Sequence, residues 1–430
     1  MSTETPQQDS TRTQSALYMA MDLGGTNWKL GFTRQGRKKK RITSVSAGDL
    51  DAFSHQLSLA KEKLKLPSDA PVFSCYEAGR DGFWIHRYLE SIGISNIIVD
   101  PASIETSRRK RKVKTDKIDV RKLLKGLIRH HRKDEEEDWS VLYIPDQQQE
   151  DWRRVHRELE RLKKERTQHT NRIKGLLQTQ GVKLKVNTNF LQLLESVRLF
   201  DGSYLPIHLK AELVREYERR LLVQEQINEL NSLREEYTKQ LKLTDEWIPL
   251  KREVPSECKE QPNIESVGQT KTEVQQKRET ELPGKDLPLS EKECEVLRKV
   301  VLLMGLCGIG IESAWLFVME MFGWRMFDNR RQLGSFAGLT PTPHQSDGMS
   351  REQGISKAGN RRVRAMMIQI GWSWLRYQPD SELSQWFERR FGSGGKRMRR
   401  VGIVALSRKL LIELWKYVEK GELPRGAKLK

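Results

Sequence analysis

Ala16-Leu-Tyr-Met-Ala-Met-Asp-Leu23 is a nearly continuous apolar run that ends at an aspartate, and its reading decides the fold. A strand buried on both faces shows no polar alternation, so this run predicts a central strand with Asp22 at its end. Gly24-Gly25-Thr26-Asn27 then makes a turn, and Trp28 to Thr33 returns as a second strand. Arg41 to Ser46 supplies a third strand, Asp49 to Leu64 a helix, and Val72 to Glu77 a fourth strand. Phe83 to Ile92 follows as an amphipathic helix, Asn96 to Asp100 as a strand, and a last helix starts near Asp116. This order describes an α/β domain. In such sheets functional groups collect beyond the carboxyl ends of the parallel strands, where Asp22 and Glu77 both fall.

The last of these helices carries a second pair of acids. Val113-Lys-Thr-Asp-Lys-Ile-Asp-Val-Arg-Lys-Leu-Leu124 spaces Asp116 and Asp119 three apart, on one helical face. Arg108, Arg109, Lys110, Arg111 and Lys112 precede them, the most basic run in the N-terminal half. Cations favour the ionised carboxylates and attract phosphate. Two readings follow. Asp116 and Asp119 are an N-cap and a first-turn acid of the helix, or, with Asp22 and Glu77, they form an acidic set able to hold a divalent metal for phosphodiester chemistry.

Composition narrows the partner. The 430 residues carry 77 Lys and Arg against 58 Asp and Glu, a net charge of +19, with a pI near 9.7. A polyanion, nucleic acid first, fits that balance. No apolar run approaches membrane-spanning length, and the polar start Met1-Ser-Thr-Glu-Thr-Pro is no signal peptide. Cys75, Cys258, Cys294 and Cys307 are scattered with no C-x-x-C pair, against both a zinc site and a disulfide framework. A cytoplasmic protein is the expectation. Residues 1–15 are polar and expected to be disordered, and residues 16–146 form the α/β domain.

Residues 147–243 read as a helical, coiled-coil region. Trp152, Val155, Leu159 and Leu162 make one stripe, and Val223, Ile227, Leu230, Leu233, Tyr237 and Leu241 recur three or four apart. That spacing predicts two antiparallel helices or a dimer contact. Residues 244–289, rich in Glu, Lys, Gln, Pro and Ser, read as a linker or disordered insertion.

Residues 290–430 are expected to be mostly helical. Gly305-Leu-Cys-Gly-Ile-Gly-Ile-Glu-Ser-Ala314 joins two helices, either a helix-hairpin-helix whose Gly308 and Gly310 approach a DNA phosphate or a plain tight turn. Phe336 to Arg364 reads as a loop fixed by prolines and glycines that presents Ser346 amid Arg351, Lys357, Arg361, Arg362 and Arg364. Ser346 is a candidate nucleophile toward a phosphodiester, with those cations stabilising the phosphorane charge; alone it is equally a phosphate-contacting or turn serine.

Taken together, YEAGRDGFWIHRYL, KTDKIDVRKLL, the GIGIESA hairpin and GLTPTPHQS…GISKAGNRRVR resemble the IS-one-ten family of bacterial insertion-sequence transposases, the DEDD recombinases. The resemblance spans nearly the whole chain. It implies an N-terminal RuvC-like (ribonuclease H-like) domain holding Mg²⁺ (or Mn²⁺) on Asp22, Glu77, Asp116 and Asp119, a coiled-coil middle, and a C-terminal transposase domain whose nucleophilic serine maps onto Ser346. It further implies donor and target DNA, cleavage through a phosphoserine linkage, and an element-encoded guide RNA. Asn360, within the GISKAGNRRVR pattern, joins Arg361, Arg362 and Arg364 among the expected nucleic-acid contacts. Because the motifs lie on both sides of a coiled coil, a dimer or tetramer is expected. One departure stands out: Asp347 follows Ser346 where family members carry glycine, which makes Ser350 the second candidate. Two other readings remain. Asp22 to Gly31 also resembles the phosphate-binding hairpin of actin-like sugar kinases, though no second glycine motif follows. The third is a non-catalytic nucleic-acid-binding protein whose acids only cap helices.

Overall fold

A computed structural model describes residues 16–35, 40–79, 82–103, 116–132, 139–242, 289–346 and 349–430. It separates into two compact units, Met1–Ile144 and Pro145–Lys430. The basic run Arg108 to Lys112 and the expected linker 244–289, apart from its last residue, lie outside the described residues. Among the described residues no helix is long and apolar enough to cross a membrane.

The first unit is built on a five-stranded mixed sheet. Strands β1 (Leu17–Leu23), β2 (Asn27–Arg34), β3 (Arg41–Ser46), β4 (Val72–Glu77) and β5 (Ser95–Val99) lie in the order β3-β2-β1-β4-β5. The first three are antiparallel, and β4 and β5 run parallel to β1. The expected central strand is central because both its faces are covered. Leu17, Met19 and Met21 pack beneath α1 (Leu50–Lys63) and α2 (Trp84–Ser91) through Phe53, Ala60, Ile85 and Leu89. Ala16, Tyr18 and Ala20 pack against Val120, Leu123, Leu124 and Leu127 of α3 (Asp116–Arg132).

Gly31 sets how closely α3 approaches. It lies opposite Ala20 on β2, and a Cβ there would stand 2.2 Å from Val120 Cγ1. The direction of α3 is fixed at both ends. Tyr18 Oη is 3.0 Å from His131 Nδ1 near the start of β1, whereas Val120 lies over Gly31, farther along the sheet. Helix α3 therefore runs antiparallel to β1, with its first turn toward the β1 carboxyl end.

The second unit begins with two long antiparallel helices, α4 (Gln147–Gln178) and α6 (Ile207–Lys242), bridged by short α5 (Phe190–Ser196). Their seam alternates as the stripes predicted: Leu159 and Leu162 meet Val223 and Ile227, and Ile173 and Leu177 meet Leu213 and Tyr217. Buried Glu216 accepts from His169 (2.7 Å), Arg172 (3.2 Å) and Arg219 (2.7 Å), fixing the register. At the other end of the pair Trp152 packs on Tyr237 and Trp315.

Trp315 and Trp374 are wholly buried in the core of this unit, formed by α7 (Glu291–Met304), α8 (Ile311–Phe317), α9 (Arg330–Ala337), α10 (Arg361–Tyr377) and α12 (Lys396–Lys420), with α11 (Glu382–Phe387) alongside. One expectation needs correction. Residues 336–364 are not simply a loop: β6 (Pro341–Ser346) and β7 (Met349–Ile355) form an antiparallel hairpin. Pro341 pairs with Ile355 and Pro343 with Glu352, with a register shift between them, and a two-stranded ribbon tolerates a proline's missing N–H at its edge. In the GIGIESA motif a second helix follows the glycine turn, as expected, and continues into a π turn at Val318–Phe322.

Candidate active site and phosphate-facing groups

Asp22 and Glu77 come together through sheet register. The β1–β4 ladder ends at Met21 opposite Tyr76, so Asp22 and Glu77 are the next positions on neighbouring parallel strands. Alternation puts Asp22 on the side of Tyr18 and Ala20, and Glu77 on the side of Phe73 and Cys75. That is the face covered by α3. Asp119 is one turn before Leu123 on the buried stripe of α3, and α3 begins at Asp116. Three elements thus bring Asp22, Glu77 and Asp119 to one end and one face of the sheet, and α3 begins at Asp116. Asp22 and Asp119 are half-buried and Glu77 is exposed; the side chain of Asp116 lies outside the described residues. Lys29 stands opposite Asp22 on β2, a cross-strand pairing of opposite charges.

Among the described residues no three acidic, imidazole or thiol side chains are close enough to hold a metal ion. The candidate residues Asp22, Glu77, Asp116 and Asp119 are all carboxylates, a chemistry that could hold Mg²⁺ or Mn²⁺, and Asp116 and Asp119 stand on the first turn of α3.

Ser346 is the last residue of β6, paired with Met349, and Ser350 pairs with Gln345. His344 pairs with Arg351 in the same ladder. Asp347 lies outside the described residues. The sequence signal for the hairpin was Asp347-Gly348, a dipeptide favoured in two-residue hairpin turns.

The basic residues after β7 are held by backbone geometry. Lys357 has φ 56° and is exposed. Gly359, at φ 97°, has no room for a side chain, since a Cβ would meet the Phe336 carbonyl oxygen at 2.3 Å. Asn360 caps α10: its Oδ1 accepts from Arg362 N (2.9 Å) and Val363 N (3.2 Å). Arg361, Arg362 and Arg364 follow in a first turn that contains no acid. Cations there oppose the helix dipole, so an anionic partner would relieve the arrangement. Arg364 Nη1 donates to the Ala337 carbonyl at 3.3 Å.

The glycine turn after α7 is closed from within. Gly308 has φ 90°, and its carbonyl accepts from Ser373 Oγ at 2.9 Å. Cys307 N donates to the Lys428 carbonyl, and Lys430 N to that of Gly305. Gly308 is half-buried and Gly310 exposed.

One charged group escaped the sequence reading. Glu320, inside the apolar Phe317-Val-Met-Glu-Met-Phe322, has no exposed surface. It accepts from His156 Nε2 (2.8 Å), Arg157 Nε and Nη2 (2.8 and 3.0 Å), Arg153 Nη2 (3.4 Å) and Asn360 Nδ2 (2.8 Å). Burial alone would raise its pKa, but hydrogen bonds from His156 and Arg157 and the charges of Arg157 and Arg153 hold it well below the carboxylate range. Burial keeps His156 below the usual imidazole range. A lone acid within an apolar helical run was the available signal.

The profile described as Transposase IS116/IS110/IS902 family matches residues 300–385, from α7 through the β6–β7 hairpin and α10. A protein named "Putative transposase y4rJ" of Sinorhizobium fredii is 36% identical over 422 residues, 96% of this chain and 95% of the relative. A second from the same organism, "Putative transposase y4qE", is 34% identical over 80 residues, 19% of this chain and 20% of the relative. With a relative of that identity matched along nearly its whole length, the chain belongs to the IS116/IS110/IS902 family of transposases.

Proposed function

We propose that this transposase is a metal-dependent DNA recombinase with a two-part site. The N-terminal unit is read as a RuvC-like, ribonuclease H-like domain in which Asp22, Glu77, Asp116 and Asp119 hold Mg²⁺ (or Mn²⁺). The observation that carries this is the placement of Asp22 and Glu77 at adjoining strand ends, on the face where α3 begins. A divalent ion bound there would supply charge stabilisation for the attacking and leaving oxygens. The four carboxylates position it, and Lys29, opposite Asp22, offsets part of their repulsion.

Ser346 is the proposed nucleophile. Its Oγ loses a proton and bonds to the scissile phosphorus as the bond to the leaving deoxyribose oxygen breaks. That oxygen takes up a proton, and the DNA end stays on the serine until a second strand's hydroxyl displaces it. Arg351, Lys357, Arg361, Arg362 and Arg364 are placed to stabilise the added negative charge, with Asn360 setting the helix start. Arg108, Arg109, Lys110, Arg111, Lys112 and the Gly308–Gly310 turn are further proposed backbone contacts. Donor and target DNA are the substrates, and an element-encoded guide RNA supplies sequence choice by pairing. The active form is proposed to be a dimer or tetramer, completing each site from two chains.

The acids are tested by strand cleavage. Full-length protein is incubated with Mg²⁺, the DNA ends of its element and the flanking transcript. Asp119→Ala should lower cleavage at least a hundredfold while leaving DNA binding within about threefold. Equal cleavage by Asp119→Ala and the wild type would leave these carboxylates as helix caps.

A further inference from the structure

A cavity of about 210 Å³ lies between the long helices and the C-terminal core, bounded by α4, α6, α8 and α10. Its charged lining consists of His156, Glu160, Lys163, Arg234, Glu312 and Arg362. Two ion pairs account for four of these: Lys163 Nζ with Glu312 Oε2 at 2.7 Å, and Arg362 Nε with Glu160 Oε2 at 2.5 Å. Arg234 is different. It is 2% exposed, and its Nη2 donates to Asn231 Oδ1 at 2.5 Å. Its Nε and Nη1 are buried without a partner, as is His156 Nδ1. Among the described residues Arg234 makes no ion pair; Glu312 and Glu235 attract it only from a distance.

A guanidinium does not shed its proton, so a buried one without a counter-charge is costly. Its planar fork matches the oxygens of a phosphate, which two N–H groups can hold together. Liquid water occupies about 30 Å³ per molecule, so the cavity accommodates a tetrahedral oxyanion with part of its hydration. Arg362 brings a second cation from the arginine-rich first turn of α10. We infer that this cavity is an anion site that takes a phosphate group, with Arg234 as its buried ligand and Arg362 as its outer one. The phosphate is either part of a nucleic-acid backbone or free orthophosphate; only the first source rests on the reading proposed above.

The test is thermal unfolding of the full chain in sodium phosphate and in sodium chloride at equal ionic strength. At a tenfold excess over Kd, phosphate should raise the wild-type Tm by about 3 °C beyond chloride. Arg234→Met should abolish that rise and, in chloride, unfold no lower than the wild type, because it removes an unpaired charge. Arg362→Gln, on a half-exposed side chain, should reduce the rise and covers the case in which Arg234→Met does not fold. No phosphate-specific rise in the wild type, or an equal rise in both variants, would overturn the proposal. Fluorescence anisotropy with labelled duplex DNA and with labelled RNA separates the sources. A backbone phosphate predicts about tenfold weaker binding by Arg234→Met and competition by phosphate. Free orthophosphate predicts unchanged nucleic-acid binding with the Tm difference retained.

Discussion

Glu320 has no exposed surface and takes hydrogen bonds from α4 and from the residue that caps α10. It ties the long helices to the start of the arginine-bearing helix through one carboxylate. Glu320→Gln keeps the shape but leaves Arg157, Arg153 and His156 facing a neutral amide, and should cost about 3 kcal/mol, read by chemical denaturation. The pH dependence has a definite sign. The Glu320 pKa is depressed on folding, so its stabilisation is complete above the ordinary carboxylate range and is lost as pH falls below it. The His156 pKa is also depressed, so the unfolded chain binds that proton first and stability declines from about pH 6.5 downward. In Glu320→Gln the carboxylate part of this acid sensitivity should vanish. A variant as stable and as acid-sensitive as the wild type would show that the cluster holds nothing together.

At the scale of elements, α3 is what turns two strand-end carboxylates into a possible site, and Gly31 is what admits α3. Gly31→Val should force the helix away from the sheet, because even the Cβ would meet Val120 at 2.2 Å. Overpacking of this kind costs about 1–3 kcal/mol, and cleavage should fall with DNA binding retained. Unchanged cleavage would mean the α3 position is immaterial. The same element shows why this half of the fold was legible. Its central strand is apolar on both faces and its helices have clean periodicity, and the boundaries of β3 and β4 follow from residue pattern alone. Asp22 and Glu77 were visible as strand ends. The β6–β7 hairpin was not, because its prolines and glycines carry a loop signature even where the backbone pairs. Arg234 was hidden for another reason: it interrupts the α6 stripe beside half-buried Leu233, and a charged residue at such a spacing reads as a solvated face. Glu320 and His156 pair across 164 positions, a separation that local periodicity does not register.

Across the whole molecule, the acids belong to one unit and the serine to the other. A net charge of +19 on 430 residues suits a transposase whose substrate is DNA. In the proposed mechanism the serine of the second unit depends on the carboxylates of the first. The direct measurement is mass-spectrometric mapping of the covalent protein–DNA linkage after reaction with Mg²⁺, element ends and transcript. The prediction is a nucleotide-bearing peptide modified at Ser346, absent from Ser346→Ala and from Asp119→Ala. A linkage on Ser350, or one that forms undiminished without Asp119, would contradict it.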